Sequence, residues 1–417
     1  MNQILAAPNP ATIVRGAPYG VHPVLHALLW PARFILMLAS TVAVLPIFVL
    51  SMSLHVVRVI LGLIPGVRPL ANFVHGRYHA FIGWIGKRVL IHESDEPILA
   101  AVISLTVSAG GVFLAQLILY KINWYLVIAF YIFVYGPKIR GFVRSFSAWH
   151  QEIHRPTGGI LKGPSPFERT FGFSFFAFLL GLPMGLIQSG VAHVHNHHRE
   201  NGNYFDAFGS AQYNHANLWH FVRYMTRDVF HQIFLTTPAA YFLKRQRGDL
   251  ALVQLKANLL YFAVVVPVFF YSWQIGVLYV LVPWLATVFM LGLVNWTQHP
   301  FYGGRDDSLN YMTNTLTVLE TPVNFLYEGY HLAHHHRSGR HWTENPQLFE
   351  DMRAKMKAAD SIVLRDVGVT EVFLLLTVFR AFGFLARKYE PWEPMSHAEK
   401  KEHLRNRSNA APAHVRV

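Results

Sequence analysis

Long uncharged, apolar runs set the pattern of this chain. They extend from 34 to 57, from 97 to 120, from 122 to 137 and from 257 to 304, and each ends at a charged residue. Because a charged side chain at mid-bilayer costs about 2.5–3.5 kcal/mol, these runs predict membrane-spanning helices. The last run has room for two spans of about 20 residues each and a turn. The predicted turns are Lys121 and the pair Trp273 and Gln274.

Four segments are apolar but less regular, and the first of them extends the run 34–57. Residues 27–64 are consistent with either one crossing or a hairpin near Pro46. Segment 171–191 is interrupted by glycine and proline, which favours a bent or re-entrant segment, and segment 229–243 is too short to span. Residues 371–386 place apolar side chains on one helical face, which predicts a helix lying in the membrane interface.

Composition and charge narrow the class of protein. Of 417 residues, 53% are hydrophobic and only 14% are charged, which excludes a disordered protein. The lack of cysteine excludes a disulfide-stabilised scaffold. The net charge is +13, but the basic residues are dispersed beside the apolar runs, as in cytoplasmic loops that follow the positive-inside rule. Nucleic acid is therefore not an expected partner, and residues 1–26 are expected to form a cytoplasmic tail.

Histidine is unusually frequent, since 24 histidines outnumber the 23 aspartates and glutamates combined. Twelve of them occur in four short places: His150 and His154; His193, His195, His197 and His198; His299; and His331, His334, His335, His336 and His341. Spacings of three, four or five residues recur within these places. Such spacings bring imidazole rings to one face of a helix, as metal binding requires.

Metal binding accounts for this accumulation, because a bound ion holds imidazoles in the neutral form and offsets their mutual repulsion. One tetrahedral ion takes four ligands and one octahedral ion takes six. About nine converging imidazoles therefore predict two ions. Nitrogen ligands suit zinc, copper, iron and nickel, and the donor set alone leaves all four open.

The positions of the histidines also constrain the topology. Ligands of one site must lie on one side of the membrane, so the number of crossings between them must be even. Segment 171–191 should therefore not cross, whereas run 257–304 supplies two crossings before His299. We expect an all-α integral membrane protein with a four-span helical bundle as its core. An N-terminal membrane segment precedes this core, interfacial helices accompany it, and a cytosolic cap holds the histidines.

Other histidines are expected to lie outside the site. His75 and His79 repeat the HxxxH spacing, but the pair in HQEIH is favoured because it closely follows a span and encloses Glu152 as a possible partner. His195 and His336 each exceed what their box needs. They are expected at the surface or behind the ligands.

With these boxes the chain resembles the membrane-bound fatty acid desaturase and hydroxylase superfamily. That family has three boxes, HxxxH, HxxxHH or HxxHH, and HxxHH, and one further histidine before the last. The matching residues are His150 and His154; His193 (or His195 in its place), His197 and His198; His299; and His331, His334 and His335. The resemblance covers roughly residues 97–346.

The resemblance implies a non-haem di-iron centre at the cytosolic end of the bundle, with these nine histidines as ligands. Such a centre uses O2 to oxidise an unactivated C–H bond of a fatty acyl chain that arrives from the bilayer, and desaturation is the expected reaction. The candidates for orienting the ligand imidazoles from behind are Glu152, Asp206, Asn295, Glu320 and Glu328.

Several features leave alternatives open. The sequences HVHNHH and NWTQH also resemble alkane hydroxylases, and the same scaffold hosts terminal-alkene-forming fatty acid decarboxylases. A divalent-metal transporter is a distant alternative, because transporters place ligands at mid-span and the run 257–294 has neither histidine nor carboxylate.

The expected partners are the acyl substrate, membrane lipids and an external electron donor with its reductase. The chain has no HPGG motif of a fused cytochrome b5 and no cysteine for an iron–sulfur centre. A donor of ferredoxin, rubredoxin or cytochrome b5 type is therefore expected to dock on the basic cytoplasmic face. Three regions are predicted: a tail and membrane segment (1–96), a desaturase-like region (97–346), and a C-terminal interfacial helix with a basic tail (347–417).

Overall fold

A computed structural model describes residues 23–154, 160–162, 190–202, 206–226, 236–303, 311–322 and 325–409, and most of them are helical. The first helices are α1 (Pro23–Leu61), α2 (Val67–Val89), α3 (Glu96–Leu105), α4 (Gly111–Leu119), α5 (Trp124–Tyr135) and α6 (Arg140–His154). A π-helical turn, Thr106–Gly110, joins α3 to α4, and short 3-10 turns, Glu93–Asp95 and Pro137–Ile139, precede α3 and α6.

Twelve further helices follow in the described part of the chain. They are α7 (His198–Glu200), α8 (Leu218–Tyr224), α9 (Thr236–Lys244), α10 (Gly248–Tyr271), α11 (Trp273–Ile275), α12 (Val282–Gln298), α13 (Tyr311–Asn314), α14 (His331–His336), α15 (Asn345–Ala359), α16 (Val369–Phe373), α17 (Phe382–Lys388) and α18 (His397–Arg407). Further π-helical turns are His193–His197, Gly276–Leu281 and Leu374–Val378, and a 3-10 turn is Trp342–Glu344.

Four helices in the described part of the chain are long and apolar enough to cross a membrane: Leu28–Leu61, Glu93–Leu119, Gly248–Tyr271 and Trp273–Gln298. The N-terminal region is one continuous helix, with Pro31 and Pro46 inside it, rather than a hairpin.

The second arm of the first predicted hairpin is shorter than expected. Helix α5 has 12 residues, or about 18 Å, against the roughly 30 Å of the hydrocarbon core. Gly136 and Pro137 end it, and a Cβ at Gly136 would collide with the carbonyl oxygen of Ile132. By length and composition the four candidate spans include α1, and α5 is one of the shorter apolar helices.

The first predicted turn is present, and the second lies at Ser272, one residue before the predicted pair Trp273 and Gln274. At the first, Tyr120 has a positive φ of 60°, and Gln116 holds the turn by donating to the carbonyl of Lys121 at 2.9 Å and accepting from the backbone N–H of Asn123 at 3.0 Å. The Asn123 side chain then caps α5 by accepting from two backbone N–H groups. At the second, α10 ends at Tyr271 and the following helix begins at Trp273, so the chain turns at Ser272.

The C-terminal part departs from the prediction in two ways. Strands β1 (Thr317–Leu319) and β2 (Val363–Arg365) pair in parallel, so the described chain is not purely helical. The predicted helix over 371–386 is broken at Phe379–Ala381, where Arg380 adopts a positive φ of 52°. Residues 171–189 of the interrupted apolar segment and residues 229–235 of the short one lie outside the described residues.

Helix α1 positions the helix that carries the first histidine box. The buried Ser51 hydroxyl donates to the Gly136 carbonyl at 3.3 Å and accepts from the Ile139 backbone N–H at 3.0 Å. The same two backbone groups also bond directly to each other at 2.7 Å, so the Ser51 hydroxyl adds a second link across the turn between α5 and α6. The long N-terminal helix thereby fixes the point at which α6 starts.

Ser51→Ala should lower the free energy of unfolding by about 0.5–1.5 kcal/mol, because it removes the two hydrogen bonds of the Ser51 hydroxyl while the direct bond between Ile139 and Gly136 remains. Thermal unfolding of the purified protein in detergent measures this effect. Ser53→Ala is the matched control, since Ser53 is exposed on the same helix. Equal melting temperatures for the two variants would contradict the assigned role of Ser51.

Candidate metal centre

The nine histidines predicted as ligands form two adjoining groups. The first group contains His150, His154, His193, His198 and His334, and the second contains His197, His299, His331 and His335. Within each group the nearest ring nitrogens all lie within 4.8 Å of one another. The rings of His198 and His335 stack across the two groups with centroids 4.3 Å apart. The structure thus brings together histidines from four separate parts of the sequence.

The winding of the helices decides which histidine joins which group. His150 and His154 are four residues apart on α6 and share a face. A π-helical turn over His193–His197 aligns residue i with residue i+5, so His193 and His198 point the same way. His197 consequently faces the second group.

The third box divides in the same manner. On α14, His331 and His335 are one turn apart and belong to the second group, whereas His334 faces the first. His299 directly follows the last residue of the candidate span Trp273–Gln298. Two of the boxes therefore contribute to both groups.

The converging atoms are the Nε2 nitrogens. In the first group, His154 and His198 place Nε2 3.3 and 3.1 Å from the Nε2 atoms of His150 and His193. In the second, Nε2 of His331 lies 3.3 Å from His299 and 3.2 Å from His335. Nitrogens bonded to one ion at about 2.0–2.1 Å lie about 2.8–3.4 Å apart in tetrahedral or octahedral geometry. This donor set fits a metal ion in each group.

Oxygen acceptors hold three rings of the second group from behind. Nδ1 of His197 donates to Oδ2 of Asp206 at 2.7 Å, and both side chains are buried. Nδ1 of His299 faces the Asn314 carbonyl at 3.2 Å, and Nδ1 of His335 faces Oδ1 of Asn201 at 3.1 Å. A ring that donates from Nδ1 keeps the Nε2 lone pair for a metal.

The loop after the second box builds this support. Asn201 and Gly202 have positive φ angles of 50° and 75°, and this left-handed turn reverses the chain toward Asp206. The backbone N–H groups of Gly202 and Phe208 each donate to the Asp206 carboxylate at 2.8 Å. Burial raises the pKa of Asp206, but the contact with His197 and these hydrogen bonds outweigh it and hold the pKa below its usual value.

Eight of the nine clustered imidazoles are neutral near pH 7. Burial, followed by the neighbouring histidines, lowers the pKa of His150 to about 4 and that of His299 to about 3. The same causes lower the pKa of the other six ligand candidates for which a shift is resolved: His154, His193, His198, His331, His334 and His335. Neutral rings are the form that binds metal ions.

The other predicted supporting residues lie in different settings. Glu320 does not support an imidazole, because its exposed carboxylate pairs with Arg365 on the neighbouring strand β2. Asn295 supports the loop that carries Asp206, because its side chain donates to the Phe208 carbonyl at 2.7 Å. The side chain of Glu152 lies outside the described part of the structure.

Glu328 faces a cleft that reaches both groups. The cleft is lined by Ser147, His150, Gln151, Phe325, Leu326, Glu328, His331, His334 and Asn345. Burial raises the pKa of Glu328 to about 7, against a hydrogen bond from Gln298 at 3.3 Å. Glu328 therefore holds a proton for part of the time near neutral pH.

The remaining histidines of the boxes lie outside both groups. His195 is exposed, and His336 contacts Tyr311 at 2.8 Å. His79 bonds Glu96 at 2.9 Å beside His75, so this HxxxH pair is separate from the centre, as predicted.

Sequence reasoning missed the roles of Asn201, Asn314 and Asp95. Asp95 is buried and accepts from Trp342 at 2.7 Å and from His341 at 3.1 Å, which ties the start of a candidate span to the segment after the third box. An Asn-Gly pair directly after HHRE favours a left-handed turn and could have drawn attention to Asn201. Nothing in the sequence pairs Asp95 with a residue 246 positions away.

Two comparisons with known proteins bear on this site. A family model described as "Fatty acid desaturase" matches residues 122–364, a range that contains all nine clustered histidines. No curated protein matches the chain.

Asp206→Asn should weaken metal retention about 10–100-fold, because it removes the charge that holds His197 while keeping the side chain's size. Metal content per protein after dialysis against a graded chelator measures this loss. Asp249→Asn is the control, since Asp249 is an exposed carboxylate paired with Arg247. Retention of a full metal complement by the Asp206 variant would contradict the assigned role.

Proposed function

Because the chain belongs to the fatty acid desaturase family, we propose that it oxidises an unactivated C–H bond of a fatty acyl chain with O2 at a pair of iron ions, and that the reaction is desaturation. The observation that carries the proposal is the arrangement of nine histidines in two adjoining groups inside the matched range 122–364. In this proposal each group holds one ion.

The two irons, when bound, would supply O2 activation and removal of hydrogen from the acyl chain. Introducing a double bond removes two hydrogen atoms from adjacent carbons, and O2 becomes two water molecules with two electrons and two protons from outside. An external one-electron carrier of ferredoxin, rubredoxin or cytochrome b5 type, with its reductase, is the proposed source of the electrons. The proposed docking surface is the basic cytoplasmic face.

The residues of the chain have distinct tasks in this scheme. Asp206, Asn201 and the Asn314 carbonyl keep three imidazoles in the tautomer that presents Nε2. The cleft beside Glu328 reaches both groups and contains a carboxyl group that can carry a proton near pH 7. Four apolar helices suit a protein that takes its acyl substrate from the bilayer. We place the histidines on the cytoplasmic side, where the basic residues flank the apolar runs.

Lipid profiling of a host that expresses the chain tests the reaction. Wild type should add an unsaturated fatty acid, and His150→Ala should abolish it, because His150 contributes to the first group. His75→Ala is the matched control, since it belongs to the other HxxxH pair and should keep full activity. Gas chromatography with mass spectrometry identifies the product.

The product distinguishes the alternatives. A hydroxylated acid, or a terminal alkene with one carbon fewer, would replace desaturation by another oxidation on the same scaffold. Purified protein with near-stoichiometric zinc and no iron would overturn the iron oxidase as a whole. Activity retained in a variant with both His334→Ala and His335→Ala would do the same.

A further inference from the structure

Helix α2 combines basic and apolar side chains, and its mean hydropathy is too low for it to be counted among the candidate spans. It carries Arg68, Arg77, Lys87 and Arg88 and no acidic residue. All four side chains are exposed, and none forms an ion pair within the described residues. Helix α2 therefore carries a net positive charge that no acidic residue of the same helix offsets.

The face of α2 that points away from the protein is apolar. Its exposed side chains are Leu70 (65%), Phe73 (66%), Val74 (57%), Phe81 (52%) and Trp84 (56%). At 3.6 residues per turn they fall within an arc of about 100°, opposite the buried Ile82. Arg77 and Arg88 lie within the same arc. Aromatic residues and arginines combined in this way are typical of helices that lie in a membrane interface.

The opposite face of α2 is fixed to the rest of the molecule in the C-terminal half of the helix, from Tyr78 onward. Ile82 and Gly86 are buried, Tyr78 donates to the Ala100 carbonyl at 2.6 Å, and His79 bonds Glu96 at 2.9 Å. The apolar contacts on this side extend to Leu326, which lines the cleft beside the two histidine groups. The exposed face therefore belongs to a helix with a set orientation.

The preceding helix brings α2 close to the membrane surface. Only residues 62–66 separate the candidate span Leu28–Leu61 from α2, and five residues reach at most about 18 Å. Leu63 and Ile64 in this turn are exposed. Arg88 lies over the Trp84 ring, 4.3 Å from its centre, which pairs a headgroup-binding cation with an interfacial aromatic side chain.

We propose that α2 lies in the membrane–water interface and binds the headgroups of anionic phospholipids. Its apolar arc enters the acyl boundary, and Arg77 and Arg88 extend from that arc to the lipid phosphates. The occupant of this face is a bilayer that contains anionic lipid. This inference is independent of the reaction that the metal centre performs.

The absence of cysteine allows a direct test in the full-length protein. Phe73→Cys and Asn72→Cys each provide one site for a nitroxide spin label, and both positions are exposed on adjacent parts of α2. The protein is placed in nanodiscs of phosphatidylcholine with phosphatidylglycerol. The label at 73 should collide with O2 and be shielded from a water-soluble nickel complex, whereas the label at 72 should show the reverse.

Two outcomes of the labelling would overturn the proposal. Equal access of the nickel complex to both labels would place α2 in water. Shielding of the label at 73 from both reagents would indicate a protein contact, and the oligomeric state in the nanodisc would identify a second copy of the chain as the occupant.

The anionic requirement has its own test. Adding phosphatidylglycerol to phosphatidylcholine nanodiscs should slow amide hydrogen exchange in α2 about fivefold or more, because each basic residue near an anionic surface contributes roughly that factor. A variant with Arg77→Gln and Arg88→Gln should lose this dependence, and Arg353→Gln, an exposed arginine on α15, should keep it. An amide exchange rate in wild-type α2 that does not change with phosphatidylglycerol would overturn the anionic preference.

Discussion

Imidazole rings that are buried in contact with one another strongly disfavour protonation, and the site depends on this constraint. Burial lowers the pKa of rings such as His154 and His193, and the neighbouring rings lower it further. The surrounding residues determine which nitrogen of a neutral ring carries the proton. In the second group they do so with oxygen acceptors placed behind His197, His299 and His335. The rest of the fold holds those acceptors in place.

A series of hydrogen bonds links one candidate span to a ligand imidazole. Asn295, near the end of α12, donates to the Phe208 carbonyl, and the Phe208 N–H donates to Asp206. Asp206 in turn accepts from His197. Hydrogen bonds thus connect this apolar helix to the second histidine group. A comparable connection runs through Ser51, which fixes the start of α6, and through Asp95, which holds the segment after the third box.

The sequence predicts local features of this molecule well and long-range ones poorly. The turns near Lys121 and Trp273 and the division between clustered and separate histidines follow from charge and spacing within short windows. The role of Glu320 is a different case, because its carboxylate pairs with Arg365, which lies beside it only when β1 and β2 come together. The sequence leaves open whether the N-terminal segment is one helix or a hairpin, because a proline in an apolar helix can either turn the chain or remain within it. Asp206 was a candidate by type, but its contact with His197 depends on a left-handed turn at Asn201 and Gly202.

The division of the second and third boxes between the two groups has a consequence for how ions are acquired. His197 and His198 are adjacent in the chain yet face different groups, as do His334 and His335. An ion bound in one group would therefore restrain the backbone that presents donors to the other. By linkage, each ion would change the affinity of the other group by the same factor.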